Sequence, residues 1–140
     1  MHQGRVLGPL LFNIYLNDLL INCEHAVSFA DDTVLLIDGK NWHETQNKAN
    51  LILQNVFEWF GDNLLTINAK KSNFITFALS YDMLPENLNL QIRDNNEVLK
   101  LNRVESAKYL GIIIDQFMRW DKHTFQILKK ADIYFSYFIN

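Results

Sequence analysis

A chain of 140 residues with 49% hydrophobic side chains is long enough to fold around a core, which excludes a disordered tail. The formal net charge is -3; residues 1–69 carry three basic and eight acidic side chains, and residues 70–140 carry ten basic and eight acidic ones. The single Cys23 excludes an internal disulfide and favours the nucleus or cytoplasm, and no apolar run reaches membrane-spanning length.

The first predicted element is a helix that begins at Pro9 and ends at about Leu20. Proline is favoured at the first helical position, and the residues that follow are apolar around most of the helix circumference. We therefore expect this helix to be buried against a sheet, with Asn13 and Asn17 on its more polar side.

Two short runs of strand-forming residues between positions 26 and 37 flank the adjacent acids Asp31 and Asp32. This pattern predicts a β-hairpin with carboxylates at its tip, although aspartate is also common in turns that bind nothing. Successive side chains of a strand point to opposite faces, so we predict Asp31 as a metal ligand and Asp32 as a neighbour that shapes the local field. Because Mg²⁺ binds through one or two carboxylates plus substrate phosphates, Asp31 needs a partner from another strand.

A long amphipathic helix follows the hairpin. Asn41 with Glu44 three residues later is an N-cap and capping-box signal, and apolar residues recur at helical spacing to about residue 60 or 63. A polar turn at 68–72 carries Lys70 and Lys71 and leads into a predicted strand at 73–78.

The rest of the chain predicts short strands and a last helix. Residues 88–93 and 97–101 indicate a second hairpin around the turn 94–96. Residues 109–114 indicate one strand, interrupted by Gly111 where backbone could approach a ligand closely. Asp121 is predicted to cap a final helix that is rich in aromatic residues.

Four motifs occur in order along the chain. They are QG at 3–4 with LGPLLF at 7–12 and YLNDL at 15–19; FADD at 29–32; Trp59, Asn63 and Leu65 followed by NAKKS at 68–72; and YLGIIID at 109–115. Together they resemble the reverse transcriptases of non-LTR (LINE-like) retrotransposons over nearly the whole chain.

The resemblance implies RNA-directed DNA synthesis with two Mg²⁺ ions, and an RNA template, a DNA primer and deoxynucleoside triphosphates as partners. It also implies roles for individual residues. These are Asp31 and Asp32 at the catalytic metal site, Lys71 beside the leaving phosphates, Gln3, Gly4, Phe29 and Ala30 as substrate or template contacts, and Leu110 and Gly111 at the primer grip.

The fold class that the resemblance implies is α+β. Residues 1–103 would form the C-terminal part of a polymerase palm, an antiparallel sheet with helices on one face; 104–116 would form the primer-grip strand region, and 117–140 the start of an α-helical thumb. Arg5 departs from the family pattern, which usually has a small residue beside the nucleotide floor. The family's first catalytic carboxylate and its fingers precede the segment seen here, so we expect the chain alone to be inactive and to self-associate through an exposed sheet edge.

Two alternatives remain open. The chain could be a non-catalytic retroelement remnant that at most binds nucleic acid or a protein partner. It could also be a metal-dependent phosphohydrolase that uses Asp31 and Asp32, which is disfavoured because no other cluster of acids or histidines accompanies them.

Overall fold

The structure, a computed structural model, describes residues 7–68, 70–94 and 97–138. The elements over these residues are α1 Leu7–Asn22, β1 Ala26–Phe29, β2 Asp32–Leu35, α2 Trp42–Asp62, β3 Asn73–Phe74, β4 Gln91–Asp94, β5 Glu97–Lys100, β6 Asn102–Arg103, β7 Ser106–Tyr109, β8 Ile112–Asp115 and α3 Asp121–Phe138. This mixture of helices with small, mostly antiparallel sheets confirms the α+β class.

The chain divides into two compact units. The first is Met1–Asn68 with Leu90–Lys100, and the second is Ala69–Asn89 with Leu101–Asn140. Over the described residues the strands form four separate pairs: the antiparallel hairpins β1–β2, β4–β5 and β7–β8, and the parallel pair β3–β6. Over these residues the pairs do not join into the one antiparallel sheet that we expected.

Helix α1 is confirmed, and it begins two residues before Pro9. Its expected burial is wrong. Leu16 and Leu19 are buried, whereas Leu10 and Ile14 are 55% and 63% exposed. An apolar sequence predicts what a helix could bury, but β1, the strand that packs against α1, is only four residues long and covers one side of it. The described helices include none that is long and apolar enough to cross a membrane.

Helix α2 begins as predicted. The side-chain oxygen Oδ1 of Asn41 accepts a hydrogen bond from the backbone N–H of Glu44 at 2.9 Å, which satisfies one of the free N–H groups of the first turn. The carboxylate of Glu44 reaches back and accepts from the N–H of Lys40 at 3.3 Å. The helix ends at Asp62, within the predicted range.

Polar side chains of α2 cover one edge of the β4–β5 hairpin. The amide of Gln54 accepts from the N–H of Arg93 at 2.9 Å and donates to its carbonyl at 3.1 Å, and Asn50 accepts from the N–H of Gln91 at 3.0 Å. Between them Ile92 is 1% exposed, the most deeply buried large side chain described. The second predicted hairpin is therefore confirmed, and α2 satisfies backbone groups that an edge strand leaves open. Its turn at 95–96 lies outside the described residues.

The single strand predicted over 109–114 is wrong. The segment folds as the hairpin β7–β8, in which Tyr109 pairs with Ile112 across the turn residues Leu110 and Gly111. Both turn residues have positive φ, 47° and 88°, as a type I′ turn requires. A glycine within a run of strand formers marks either a kinked strand or a turn, and here it marks the turn.

Two smaller differences concern the second unit. The strand predicted over 73–78 is limited to Asn73–Phe74, and beyond it the N–H of Ala78 donates to the carbonyl of Gln116 at 3.0 Å. The last helix is confirmed, but Asp121 is its first residue and does not cap it. The carbonyl of Trp120 accepts the first helical hydrogen bond, from the N–H of Thr124 at 2.9 Å.

Candidate active site at the first hairpin

The β1–β2 hairpin presents Asp31 and Asp32 at its tip, as predicted. Its register pairs Phe29 with Asp32 and Ser28 with Thr33, so the connection is the two-residue turn of Ala30 and Asp31. Asp31 is therefore a turn residue, whereas Asp32 opens strand β2. Both acids are exposed.

The two faces of this hairpin differ in character. Cross-strand partners project to the same face, so Asp32 shares its face with Phe29, which is 63% exposed. On the other face the hydroxyls of Ser28 and Thr33 lie 3.2 Å apart and form a hydrogen bond across the strands. The side chain of Asp32 is thus directed to the side of the exposed aromatic ring, away from the hydroxyl pair.

The turn of Ala30 and Asp31 is strained at its first residue. Ala30 has a φ of 52°, a left-handed conformation that residues with a Cβ rarely adopt. Such strain costs on the order of 1 kcal/mol or more and is concentrated at functional sites. The positive φ of Ala30 allows the chain to reverse over two residues, so that Asp31 lies in the turn and Asp32 begins β2.

A cleft of about 430 Å³ lies between α1 and this hairpin. Apolar and polar side chains of both elements line it; the lining residues are Pro9, Phe12, Asn13, Leu16, Asn17, Leu20, Ser28, Phe29 and Ala30. Asp31 directly follows the lining residue Ala30. The amides of Asn13 and Asn17, one helical turn apart, are the groups that the sequence marked as polar without assigning them a role.

Two of the sequence motifs meet in the first unit. The indole Nε1 of Trp59 donates to the carboxylate of Asp18 at 3.4 Å, and the hydroxyl of Tyr15 donates to the carbonyl of Asn63. The amide of Asn63 in turn donates to the carbonyl of Trp59 at 2.8 Å. Motif residues of the YLNDL segment of α1 and of the end of α2 therefore hydrogen-bond to one another.

The other predicted site residues fall outside the described residues or belong to the second unit. Gln3 and Gly4, and Arg5 beside them, lie outside the described residues. Lys71 is exposed in a turn of the second unit, before β3. Leu110 and Gly111, both exposed, form the β7–β8 turn, also in the second unit.

The acids at the hairpin tip fit a metal ion only in part. The described residues contain no group of three or more His, Cys, Asp or Glu side chains that could hold a metal. Two exposed carboxylates are nevertheless the oxygen ligands that Mg²⁺ takes when substrate phosphates and water complete its coordination. The donor set at Asp31 and Asp32 therefore suits a divalent cation that is shared with a phosphate-bearing substrate.

Comparison with known proteins identifies the family. The sequence profile of the family described as reverse transcriptase (RNA-dependent DNA polymerase) matches residues 1–114. The chain is 25% identical over 120 residues to the retrovirus-related Pol polyprotein from type-1 retrotransposable element R1 of Nasonia vitripennis, covering 83% of this chain and 35% of that protein. No solved structure matches.

Two further relatives come from Drosophila melanogaster. The probable RNA-directed DNA polymerase from transposon X-element is 28% identical over 131 residues, covering 89% of this chain and 14% of that protein. The RNA-directed DNA polymerase from mobile element jockey is 26% identical over 130 residues, covering 86% of this chain and 13% of that protein. The chain thus spans between 13% and 35% of the length of these relatives. With the profile matching over most of its length and the resemblance to non-LTR retrotransposon enzymes confirmed, the chain belongs to the reverse transcriptase (RNA-dependent DNA polymerase) family.

Proposed function

We propose that this chain carries part of the active site of an RNA-directed DNA polymerase, in which Asp31 and Asp32 hold catalytic Mg²⁺. The observation that carries the proposal is the tight, strained turn at Ala30, which sets two exposed carboxylates at the tip of a hairpin beside a cleft. Family membership supports the reaction class. The partners that follow are an RNA template, a DNA primer and deoxynucleoside triphosphates, in the nucleus or cytoplasm.

Two Mg²⁺ ions, when bound, neutralise charge on the transferring phosphate and on the attacking and leaving oxygens. The contribution of the chain is to hold and orient. Asp31, in the turn, would be the direct ligand, and Asp32, on the face of Phe29, would add negative charge next to it. The exposed ring of Phe29 and the backbone at Ala30 are the surfaces that a nucleotide held at this tip would contact.

The remaining roles are proposed from the motif positions. Lys71 is an exposed ammonium that would stabilise the leaving phosphates. Gln3 and Gly4 would line the floor below the incoming nucleotide. The turn of Leu110 and Gly111 would hold the primer end, because an exposed turn with a glycine lets another chain approach its backbone. In this proposal residues 1–103 are palm, 104–116 the primer-grip region and 117–140 the start of the thumb.

The metal proposal can be tested on the 140-residue protein with Mn²⁺, a paramagnetic ion with the same preference for carboxylate oxygen as Mg²⁺. In a ¹⁵N-labelled sample we expect added Mn²⁺ to broaden the amide signals of residues 29–33 before others. Asp31→Asn should remove this broadening. Asp62→Asn, which removes another exposed carboxylate of the first unit, should leave it unchanged. Hairpin signals that stay sharp in the wild type, or broadening that survives Asp31→Asn, would refute the metal site.

Activity assays separate the alternatives. We expect no Mg²⁺-dependent primer extension on an RNA template from this chain alone, because one hairpin supplies too few carboxylates for two ions. Extension by the isolated chain would overturn that expectation. Phosphate release that Asp31→Asn abolishes would instead favour a phosphohydrolase. Binding of a primer–template duplex without any Mn²⁺ effect at the hairpin would favour a non-catalytic binding module.

A further inference from the structure

The loop between β8 and α3 is organised around one carboxylate. Asp115, the last residue of β8, is 9% exposed. Its Oδ1 accepts hydrogen bonds from the backbone N–H groups of Phe117 at 3.0 Å and Arg119 at 3.3 Å, and its Oδ2 accepts from the N–H of Trp120 at 3.0 Å. Its backbone carbonyl accepts a fourth, from the N–H of Met118 at 3.0 Å. Every residue from 117 to 120 therefore bonds to Asp115.

This loop has a conformation that its sequence does not favour. Met118 and Trp120 have positive φ values of 54° and 66°, although neither is glycine and both have bulky side chains. A left-handed residue with a Cβ costs roughly 1–2 kcal/mol and persists only where the surroundings hold it. The carboxylate of Asp115 is the group that bonds on both sides of Met118 and at Trp120 itself.

The loop leads directly into α3, which contacts the same hairpin. Trp120 precedes the helix, and its carbonyl accepts from both the N–H and the hydroxyl of Thr124, at 2.9 and 3.0 Å. One turn into α3, Nδ1 of His123 accepts from the N–H of Ile113 in β8 at 3.4 Å. The hydrogen bond from the N–H of Trp120 to the carboxylate of Asp115 thus connects the end of the hairpin to the residue whose carbonyl accepts the first helical hydrogen bond of α3.

The surroundings of Asp115 favour its charged form. Burial raises the pKa of the carboxyl, but the N–H groups of Trp120, Arg119 and Phe117 lower it by more, and Lys122 adds to them. Asp115 lines a cleft of about 170 Å³; the other ionisable groups there are Tyr81, Glu105, Arg119, Asp121 and Lys122. Lys122 lies 3.8 Å from the carboxylate of Glu105 and donates to the hydroxyl of Ser106 at 3.1 Å.

We propose that Asp115 is a positioning residue whose carboxylate sets the direction in which α3 leaves the β7–β8 hairpin. In the polymerase proposed above, the hairpin turn would hold the primer end and α3 would begin the thumb. Asp115 would then fix the angle between these two nucleic-acid contacts, and this consequence alone rests on the proposed function. The orientation of α3 is a property of the second unit and can be measured without metal or nucleic acid.

An asparagine at this position cannot reproduce the arrangement. Its one carbonyl oxygen could accept from Phe117 and Arg119, but its NH₂ group would then face the N–H of Trp120, a donor against a donor. Asp115→Asn therefore keeps the shape of the side chain and loses the bond at the start of α3. Asp121→Asn is the matched control, because it removes the same charge from the same cleft and Asp121 is exposed in the first turn of α3.

The test is a distance measured between spin labels on the full chain. The spin labels are attached to cysteines introduced by Lys108→Cys in β7 and Lys129→Cys in α3, where both lysines are exposed, and Cys23→Ser removes the native thiol. We expect one narrow distance distribution in the wild-type background and in Asp121→Asn, and a broadened or shifted one in Asp115→Asn. An unchanged distribution in Asp115→Asn would overturn the proposal.

A second measurement decides the matter if Asp115→Asn does not fold. In the wild type, the amide signals of Phe117, Arg119 and Trp120 should shift together as the pH is lowered, with one midpoint below the ordinary aspartate value. In the labelled wild type the distance distribution should broaden at the same midpoint. Amides that titrate separately, or a distribution that stays narrow through their titration, would overturn the proposal. None of these readouts involves Asp31, so a failed Mn²⁺ experiment leaves them unaffected.

Discussion

Replacing Gly111 with alanine tests the β7–β8 turn. Gly111 has a φ of 88°, and a Cβ added to it would meet no described heavy atom within 4 Å. The substitution therefore creates neither a clash nor a new contact, and its effect comes from the backbone alone. If residues 109–114 formed one extended strand, alanine would be as good as glycine or better, because glycine in a strand loses more conformational freedom on folding.

The size of the effect follows from two opposing contributions. Holding alanine in a left-handed conformation costs roughly 1–2 kcal/mol. Alanine also restricts the unfolded chain, which stabilises the folded state by about 0.4–1 kcal/mol. The net loss at Gly111 is about 1 kcal/mol. At Gly61, in the last turn of α2 and also with no described heavy atom near its added Cβ, only the favourable contribution remains, so Gly61→Ala should stabilise by about 0.5 kcal/mol.

Urea unfolding followed by backbone amide signals measures each unit through its own residues. With a slope of about 1 kcal/mol per M for a unit of this size, Gly111→Ala should lower the midpoint of the β7–β8 signals by about 1 M. Gly61→Ala should raise the midpoint of the α2 signals by about half as much. A Gly111→Ala protein whose hairpin unfolds at the wild-type midpoint or later would show that the turn has been assigned wrongly.

Three further predictions concern the core, acid stability and the exposed helix. Ile92→Ala should lower the stability of the first unit by about 2–5 kcal/mol in urea unfolding, because Ile92 is 1% exposed; a loss under about 1 kcal/mol would contradict that burial. The pKa of Asp115 is lowered in the folded state, so its charged form stabilises the fold. Its contribution to the free energy of unfolding should be complete above about pH 4 and should vanish as the pH falls through the pKa of the folded state. Thermal midpoints of wild type and Asp115→Asn should therefore converge in acid, and a constant difference would disagree. Ile14 is 63% exposed on α1, and exposed apolar surface favours self-association, so Ile14→Lys should shift sedimentation velocity profiles toward monomer. A wild type that is monomeric at every concentration would contradict this prediction.

Much of the fold was predictable because its signals are local. Asn41 caps α2 by accepting a hydrogen bond from Glu44, three residues later, and only two residues separate the strands of the first hairpin. Because the partners of both interactions are close in the sequence, the sequence is enough to predict them. The same holds for the β4–β5 hairpin. The family motifs could also be recognised in the sequence, since they depend only on the identity and order of residues.

The errors arose where a sequence pattern fits more than one structure. Helix α1 is apolar on most sides, yet burial depends on what the rest of the chain lays against it, and the short strand β1 covers only part of it. The glycine at 111 fits either a kinked strand or a turn, and the pairing of Tyr109 with Ile112 decides for the turn.

The amino-acid sequence alone therefore determined the family, the positions of the helices and the acidic tip at Asp31 and Asp32. Only the tertiary structure decided that Trp59 bonds to Asp18 across 41 positions, and that the side chain of Gln54 bonds to the backbone of Arg93 across 39. The physical reason is the reach of the forces involved. Turn and cap preferences act between neighbours along the chain, whereas burial and long-range hydrogen bonds exist only once distant segments have been brought together.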